Sequence, residues 1–434
     1  MRLALKRWLA ALVLTSGLCL DDSRAADLEG APIHYGTAPE TNAIARLQQR
    51  LDTGKAKLAY DKDKGYLPAV LQAFDLPVSS QVLVFSKTSL QRNRIAPKTP
   101  RALYFNDDMY VGYCQSGEVM EFSIADPSLG TVFYTLEQQG DEPPRFRRQT
   151  EACLICHGSS ATQGFPGHLV RSVYADHEGQ PIFSLGTSRV DHSTPLSKRW
   201  GGWYVTGSHL GRAHLGNLIL PKTTRHQPTS NPHGSTCDDL SIFFETGQYL
   251  SRHSDLVALL VLEHQAEVHN RLTRVALETR VAVHQQEEFD RILGRTEKGL
   301  SESTARRIDA ACESLVEHLF FAEEAPLGGK VSGTSGFADE FQAKGARDGQ
   351  GRSLRDFDLT DRMFRYPLSY MVLSHAFEHL PAVARDRAVA RIRQILLEGS
   401  ADKKYAHLTP ETRRRIVEVL AGSSPLWKDR IGKN

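Results

Sequence analysis

The spacing of hydrophobic and polar positions changes along the chain. Residues 38–52 and 65–75 place apolar side chains at helical intervals, which predicts two short amphipathic helices. From Ser79 onward, short runs of β-branched and aromatic residues are separated by turn residues, as is typical of strands. The predicted strands are residues 81–86, 102–105, 109–113, 131–136, 169–174, 181–185 and 203–206. The Asp-His-Glu-Gly sequence at 176–179 predicts a hairpin turn between two of them.

Helical spacing returns in the second half of the chain. The predicted helices are residues 250–286, 306–321, 371–380 and 385–397, and a last one that begins at Pro410 after Thr409. Residues 222–239 are rich in Thr, Pro, Asn and Ser and predict a loop. Residues 326–352 contain seven glycines and predict a long flexible loop or linker.

These patterns together predict an α+β fold, in which a β-rich region is followed by a helical C-terminal region. The predicted segments are a signal peptide at 1–25, an N-terminal helical segment at 26–78, the β-rich domain at 79–240, a helical region at 241–325, a Gly-rich loop or linker at 326–356 and a C-terminal helical region at 357–434.

The N-terminal residues predict export. Arg2, Lys6 and Arg7 precede an apolar run at residues 8–20, and small residues follow it, as in a secretory signal peptide. The run is shorter than the roughly 20 apolar residues that a helix needs to cross a bilayer, which disfavours a membrane anchor. No later segment is apolar enough to cross a membrane. We therefore expect a periplasmic or otherwise exported protein, with no stable membrane span after the signal is removed.

Charge and cysteine content exclude some classes of function. The 434 residues include 53 Lys and Arg against 51 Asp and Glu, a balance that disfavours a broad nucleic-acid-binding surface. Residues 1–25 carry four basic and two acidic side chains, so the net charge of +2 belongs to the signal segment. Six cysteines are too few for a disulfide scaffold in a chain of this length.

One short motif carries specific chemistry. Residues 153–157 read Cys-Leu-Ile-Cys-His, in which two thiols three positions apart can each form a thioether with one vinyl group of a haem. The histidine that follows is then held under the iron as an axial ligand. We predict one covalent haem c, attached through Cys153 and Cys156, with His157 as an iron ligand. A thioredoxin-like redox pair, a zinc site and a disulfide between the two cysteines are alternatives, but none of them explains His157.

The sixth iron ligand is left open by the sequence. Residues 200–209 bring together two tryptophans, a tyrosine and a histidine, and aromatic faces suit packing against a flat macrocycle. We therefore place His209 first as the second iron ligand and Trp203 as a haem contact. The other candidate ligands are His214, His168, Cys114 and Met109, and an open sixth position is a further alternative.

Several arginines in the same stretch of chain are candidate partners for the haem propionates. A guanidinium fork matches a carboxylate well. The candidates are Arg145, Arg147, Arg148, Arg171, Arg189 and Arg199, of which we single out Arg171. Cys114, Cys237 and Cys312 remain after the haem and signal-peptide cysteines are set aside, so at least one of them is unpaired within the chain.

Two other patterns concentrate metal-ligand residue types. His375, Glu378 and His379 fit the H-x-x-E-H pattern of some zinc peptidases, but no third ligand is evident and an ordinary amphipathic helix is favoured. The second pattern is the stretch at 263–269, which contains Glu263, His264, Glu267 and His269. A polar stripe on a long helix is the favoured interpretation of this stretch.

The chain resembles a group of bacterial exported proteins that are described only as containing a cytochrome c domain. The resemblance lies in residues 104–112, 153–158, 167–174 and 200–207, and continues in residues 351–358 and 366–370. It implies haem binding and electron transfer but does not indicate a substrate. A redox partner protein is expected for such electron transfer.

The strands around the haem motif are also similar, more loosely, to periplasmic PAS-like haem sensor domains. That similarity implies a PAS-like haem c domain and makes a Cys114 thiolate a candidate axial ligand. Three hypotheses follow from the sequence: an electron-carrying mono-haem cytochrome, a peroxidase-like haem oxidoreductase with an open iron site, and a haem-based redox or gas sensor.

Overall fold

The computed structural model describes residues 28–209, 213–296 and 298–432. The predicted signal peptide at 1–25 lies outside these residues. The structure confirms the predicted α+β class, because strands dominate the first half of the chain and helices the second half.

The strands and helices follow one another along the chain with few long gaps. The strands are β1 Val82–Val84, β2 Arg101–Phe105, β3 Met109–Tyr113, β4 Val119–Asp126, β5 Gly130–Glu137, β6 Phe146–Gln149, β7 Arg171–Val173, β8 Ala175–Asp176, β9 Thr187–Arg189, β10 Trp203–Tyr204, β11 Gly207–His209, β12 Ile219–Leu220, β13 Thr236–Cys237 and β14 Val331–Ser332. The α-helices are α1 Ala43–Asp52, α2 Leu67–Ala73, α3 Leu154–His157, α4 Leu256–Ile292, α5 Glu302–Leu319, α6 Phe337–Ala343, α7 His375–Glu378, α8 Ala382–Leu397, α9 Pro410–Ser423 and α10 Pro425–Gly432.

A seven-stranded antiparallel sheet forms the centre of the β-rich region. Its strand order is β10-β1-β2-β3-β4-β5-β6, so consecutive strands from β1 to β6 are neighbours. The longest pairing joins β4 and β5, which stay in register from Val119 opposite Glu137 to Asp126 opposite Gly130. Smaller sheets are formed by β13-β11-β14, β12-β8 and β7-β9.

Both faces of the large sheet are buried, each against a different part of the chain. Successive side chains of a strand point to opposite faces. Val82 and Val84 accordingly join the hydrophobic core that contains α4, α5, α8 and α9. Leu83 lies between them and joins a second core, which contains Ile44 of α1 and Val70 of α2. The two cores therefore include residues from each of the predicted segments described by the structure.

The N-terminal part of helix α4 runs through the interior, and its C-terminal end, at Phe289 and Ile292, is exposed. The side chain of Asp255 caps its first turn by accepting hydrogen bonds from the backbone of Val257 and Ala258. Every residue from 256 to 270 is buried. The predicted helix is confirmed, but its interpretation as an ordinary polar stripe was wrong, since Glu263, His264, Glu267 and His269 are among the buried residues.

Other differences from the sequence predictions have local physical causes. Strand β4 was not predicted although its buried apolar side chains alternate with more exposed ones, the pattern of a half-buried strand, and β6 has a single buried residue, Phe146. Residues 181–185 contain a one-turn 3-10 helix instead of a strand, and β7 pairs with β9. The predicted linker contains β14, which pairs with β11, and α6, which follows Gly336 at φ 81°. The predicted helix at 371–380 is divided where Ser374 caps α7.

The last predicted helix begins as expected, with the Thr409 side chain accepting from the Thr412 backbone. Within the described part of the chain, no helix combines the length and the apolarity needed to cross a bilayer.

Candidate functional site

The Cys-x-x-Cys-His motif occupies one helical turn directly after the edge strand β6. Cys153 precedes α3, and the His157 backbone N–H donates to its carbonyl oxygen at 2.9 Å. Cys153 is half-buried and Cys156 is exposed, and neither forms a disulfide. Residues three apart in sequence lie on the same side of a helix. Both thiols can therefore react with one ligand that lies beside this turn.

The imidazole of His157 has a fixed orientation. Its Nδ1 lies 2.8 Å from the carbonyl oxygen of Gly167, and because a carbonyl only accepts, Nδ1 carries the hydrogen. Burial lowers the pKa of His157, which favours the neutral ring. The Phe133 ring of β5 packs 4.9 Å from it. Nε2 therefore carries the lone pair, and it makes no hydrogen bond to any described residue, as a metal-ligating nitrogen requires.

Asn270 of α4 holds the backbone segment that orients His157. Its Oδ1 accepts from the His168 N–H at 2.6 Å, and its Nδ2 donates to the His168 carbonyl at 2.9 Å. A Cβ atom at Gly167 would lie 2.5 Å from Asn270 Oδ1, so glycine is needed for this approach. Neither Gly167 nor Asn270 was predicted as a site residue. The Gly167 carbonyl that orients His157 is therefore held in place by Asn270, which lies far away in sequence.

Of the candidate sixth ligands, His168 lies nearest to the motif in sequence. It is buried and follows Gly167 directly. Its Nδ1 lies 3.2 Å from the Ser123 hydroxyl, and its ring lies 4.4 Å from that of Tyr110. Its Nε2 lies 3.5 Å from the Thr131 hydroxyl, so both ring nitrogens already have hydrogen-bonding partners, which disfavours His168 as the sixth ligand.

The segment at 200–214 lies in another part of the fold. Trp203 is in β10, five strands from β5 in the sheet, and its Nε1 donates to the Arg171 carbonyl. His209 is buried in β11 with Nε2 2.9 Å from the carbonyl of Leu327. His214 packs against the ring of Trp200. None of the described contacts joins Trp203, His209 or His214 to the motif, and their roles at a haem stay predictions.

Cys114 and Met109 are both buried at β3. Burial raises the pKa of the Cys114 thiol to about 11, which disfavours the thiolate that an axial ligand requires. Met109 belongs to the core between the sheet and the N-terminal helices. Cys237 and Cys312 are also buried and free.

Five of the six candidate arginines already have carboxylate partners. The pairs are Arg145–Asp52, Arg147–Glu137, Arg148–Glu40, Arg189–Glu267 and Arg199–Glu263. Arg171 forms no ion pair with a described residue and lies 6.0 Å from the ring of Phe183. Its guanidinium is thus the one of the six that remains available to a propionate, although no described contact joins it to His157.

A charge pair that the sequence did not indicate lies beside the motif. Arg101 of β2 reaches across β3 to Glu121 of β4, and both side chains are largely buried. Ser89 and Gln91 donate further hydrogen bonds to Glu121. Burial and the Glu121 carboxylate raise the pKa of the Cys153 thiol to about 11. The pairing of Arg101 with Glu121 could not be predicted, because strand β4, which carries Glu121, and its register in the sheet were not predicted.

The H-x-x-E-H pattern does not form a peptidase-like site. Both carboxylate oxygens of Glu378 pair with Arg430, at 2.7 and 2.8 Å. The rings of His375 and His379 stack 3.7 Å apart, and Nδ1 of His379 is hydrogen bonded to the carbonyl of His375. Because Glu378 is paired with Arg430, it is not free to act as a general base. This is consistent with the favoured interpretation, in which the segment is not a zinc site.

A cavity of about 190 Å³ lies away from the motif. Its lining includes Asp107, Arg355 and Gln265, and Arg355 pairs with Asp107. Gln265 donates to the hydroxyl of Tyr110, which lies 2.9 Å from Nδ1 of His269. The cavity is thus connected to buried polar side chains of α4, but the motif does not line it.

Comparison with known proteins adds no assignment. The chain matches no family model, no curated protein and no solved structure at a significant level. The resemblance to cytochrome c domain proteins and to PAS-like haem domains therefore stays a prediction.

Proposed function

We propose that this protein is an exported mono-haem c-type cytochrome that transfers electrons to or from a redox partner protein. The observation that carries the proposal is the state of His157. The ring is oriented by Gly167 at Nδ1, is favoured in its neutral form, and leaves Nε2 free of hydrogen bonds to the described residues. Histidine ligands of metals commonly have this arrangement, in which a carbonyl fixes the tautomer.

The donor set fits haem c. Two free thiols and one oriented imidazole lie on a single helical turn, and the spacing is that required by the two vinyl groups and the iron. A bound haem supplies one-electron chemistry through its iron. Cys153 and Cys156 would hold the macrocycle, His157 would ligate the iron, and Phe133 would keep water from one side of the ligand.

The position of the motif supports electron transfer. Cys156 is exposed, and Ile155, between the two cysteines, has 79% of its surface exposed. A haem attached to this turn would have an edge near the protein surface, within reach of a partner.

The decisive experiment is a pyridine haemochrome spectrum of protein expressed with its export signal and a haem c maturation system. We expect one haem c per chain, no haem in Cys153→Ser/Cys156→Ser, and normal haem content in the control Cys237→Ser. His157→Ala should lose proximal ligation, whereas His226→Ala, at an exposed position, should not. A wild-type protein without covalent haem would refute the proposal.

Carbon monoxide separates electron transfer from the two alternative functions. A low-spin reduced spectrum that carbon monoxide leaves unchanged is expected for an electron carrier. A high-spin haem that binds carbon monoxide would overturn that assignment and favour a haem oxidoreductase or a sensor.

A further inference from the structure

A second cluster of ligand side chains lies where three elements meet. Asp191 follows β9, Glu267 is in the buried part of α4, and His318 is in the last turn of α5. One ligand atom from each residue lies within 4.8 Å of the other two. Nε2 of His318 is 3.9 Å from Oδ2 of Asp191. Of the three residues only Glu267 lies in a stretch noted for its ligand types, and the cluster could not be predicted because its members are separated by 76 and 51 residues.

Two atoms of the cluster are buried without a hydrogen bond. Nε2 of His318 and Oε1 of Glu267 have no hydrogen-bond partner in the described structure, although Arg271 approaches Glu267 Oε1 at 3.2 Å. The two residues are 7% and 3% exposed. Leaving buried polar atoms unpaired is costly, so such atoms call for an explanation, which includes an absent ion.

The surrounding residues prepare the three side chains as ligands. The N–H and hydroxyl of Ser193 donate to Oδ1 of Asp191 and leave Oδ2 toward His318. The His318 ring packs 4.1 Å from the ring of His192, which holds its orientation. Asn270 donates to Oε2 of Glu267 at 3.1 Å. Carboxylate ligands held by neighbouring donors are typical of metal sites.

From this geometry we infer that Asp191, Glu267 and His318 bind a divalent first-row transition metal. Two carboxylates and one imidazole suit Mn²⁺, Fe²⁺ or Zn²⁺ better than Ca²⁺ or Mg²⁺, which favour oxygen ligands alone. The inference does not depend on the proposed haem. Asp191 has 19% of its side chain exposed and provides the entry path.

Two arginines neutralise the charge of the Glu267 carboxylate, and replacing one of them is the most direct test of the inference. Arg189 and Arg271 both pair with Glu267. Arg271 is 17% exposed, but Arg189 is 30% exposed and can move into solvent. A metal ion bound by Glu267 would lie close to the Arg189 guanidinium. Because the two positive charges repel each other, the ion would displace Arg189 into solvent. Removing the Arg189 charge should therefore strengthen cation binding, and it would weaken binding of an anion.

The experiment uses the full-length protein as purified, whether or not it carries haem, after treatment with a chelator. Binding of Mn²⁺ is measured from the loss of the free-ion electron paramagnetic resonance signal, and Zn²⁺ is added as a competitor. We expect one ion per chain, at least tenfold weaker binding in His318→Gln and in Asp191→Asn, and at least threefold tighter binding in Arg189→Gln. His379→Gln is the matched control, since it removes a histidine from the other ligand-like pattern, and it should bind as the wild type does.

Several results would overturn the inference. They are absence of Mn²⁺ and Zn²⁺ binding in the wild type, unchanged binding in a folded His318→Gln variant, and weaker binding in Arg189→Gln. If His318→Gln fails to fold, Arg189→Gln and Asp191→Asn decide, because both residues lie partly in solvent. Haem content by pyridine haemochrome should be the same in all variants, so failure of this inference and failure of the haem proposal are distinguishable.

Discussion

Replacement of Asn270 by alanine tests whether α4 positions the iron ligand. The change removes the hydrogen bonds to the His168 N–H and carbonyl and the one to Glu267. The N–H and carbonyl are left buried, and an unsatisfied buried group costs roughly 1–3 kcal/mol. Since water can enter the space left by the amide, we expect the free energy of unfolding to fall by roughly 3 kcal/mol.

The variant should also change the ligand field of the haem. Without Asn270 the Gly167–His168 backbone is free to move, and the hydrogen bond that orients His157 weakens with it. We expect the reduced absorption bands and the midpoint potential to shift relative to the wild type. The assays are chemical denaturation followed by tryptophan fluorescence, and a redox titration of the haem spectrum.

Asn217 provides a matched control elsewhere in the fold. It is buried, its Oδ1 accepts from the Val205 N–H, and its Nδ2 donates to the carbonyls of Val205 and His233. Its φ of 65° lies in the left-handed region, so alanine should destabilise there at least as much as at Asn270. Equal loss of stability in both variants with an unchanged midpoint potential in each would refute a positioning role for Asn270.

Three other changes have defined outcomes. Gly167→Ala should lower both stability and haem incorporation, because its Cβ would lie 2.5 Å from Asn270 Oδ1. Gly247→Ala is the control and should change neither, because no atom lies within 4 Å of the added Cβ. Normal haem content in Gly167→Ala would contradict this account. Cys114→Ser should leave the haem spectrum unchanged, since burial raises the pKa of the thiol to about 11, and a lost absorption band would show that it is a ligand after all. Burial alone would raise the pKa of Glu313, but hydrogen bonds from Arg391, Lys404 and Tyr405 outweigh it and lower the pKa to about 2. This carboxylate should therefore contribute roughly 2 kcal/mol above about pH 4.5, a contribution lost as the pH falls towards 2, so urea titrations of the wild type and Glu313→Gln should differ at pH 7 and converge in acid.

The order of strands and helices follows largely from local patterns, and these could be predicted. The helix at α4 and the strands at β2, β3 and β5 appear where apolar spacing indicates them. Strand β4 was not predicted, although Glu121 and Ser123 alternate with buried apolar side chains as in a half-buried strand. Both side chains find partners across the sheet or beyond it, Glu121 in Arg101 and Ser123 in His168. A local pattern cannot reveal a polar position that is satisfied by a distant residue.

The same reason limits prediction of the candidate site. The motif could be found because its five residues are contiguous, but Asn270 lies 102 positions from the backbone that it holds. Polar side chains in α4 indicated an exposed face, because burial of Glu263 is unfavourable without partners. Those partners are Arg199 and Trp200, which donate to its two carboxylate oxygens from a loop far away in sequence. Only the fold shows that this part of α4 can be buried.

Atoms left unpaired in the interior distinguish the proposed metal cluster from ordinary gaps in hydrogen bonding. Elsewhere, the buried unpaired atoms include donors such as Nε of Arg101 and Nε1 of Trp427. In the cluster, Nε2 of His318 has no hydrogen-bond partner among the described residues and lies 3.9 Å from Oδ2 of Asp191, and Oε1 of Glu267 accepts no hydrogen bond from them although it is ion-paired with Arg271. A set of electron-pair donors that converge on one point is best satisfied by a cation. The other oxygen of Glu267 accepts from Asn270, which also holds the backbone behind His157. An ion at Glu267 would therefore be separated from the candidate haem ligand by one side chain and the backbone that it holds.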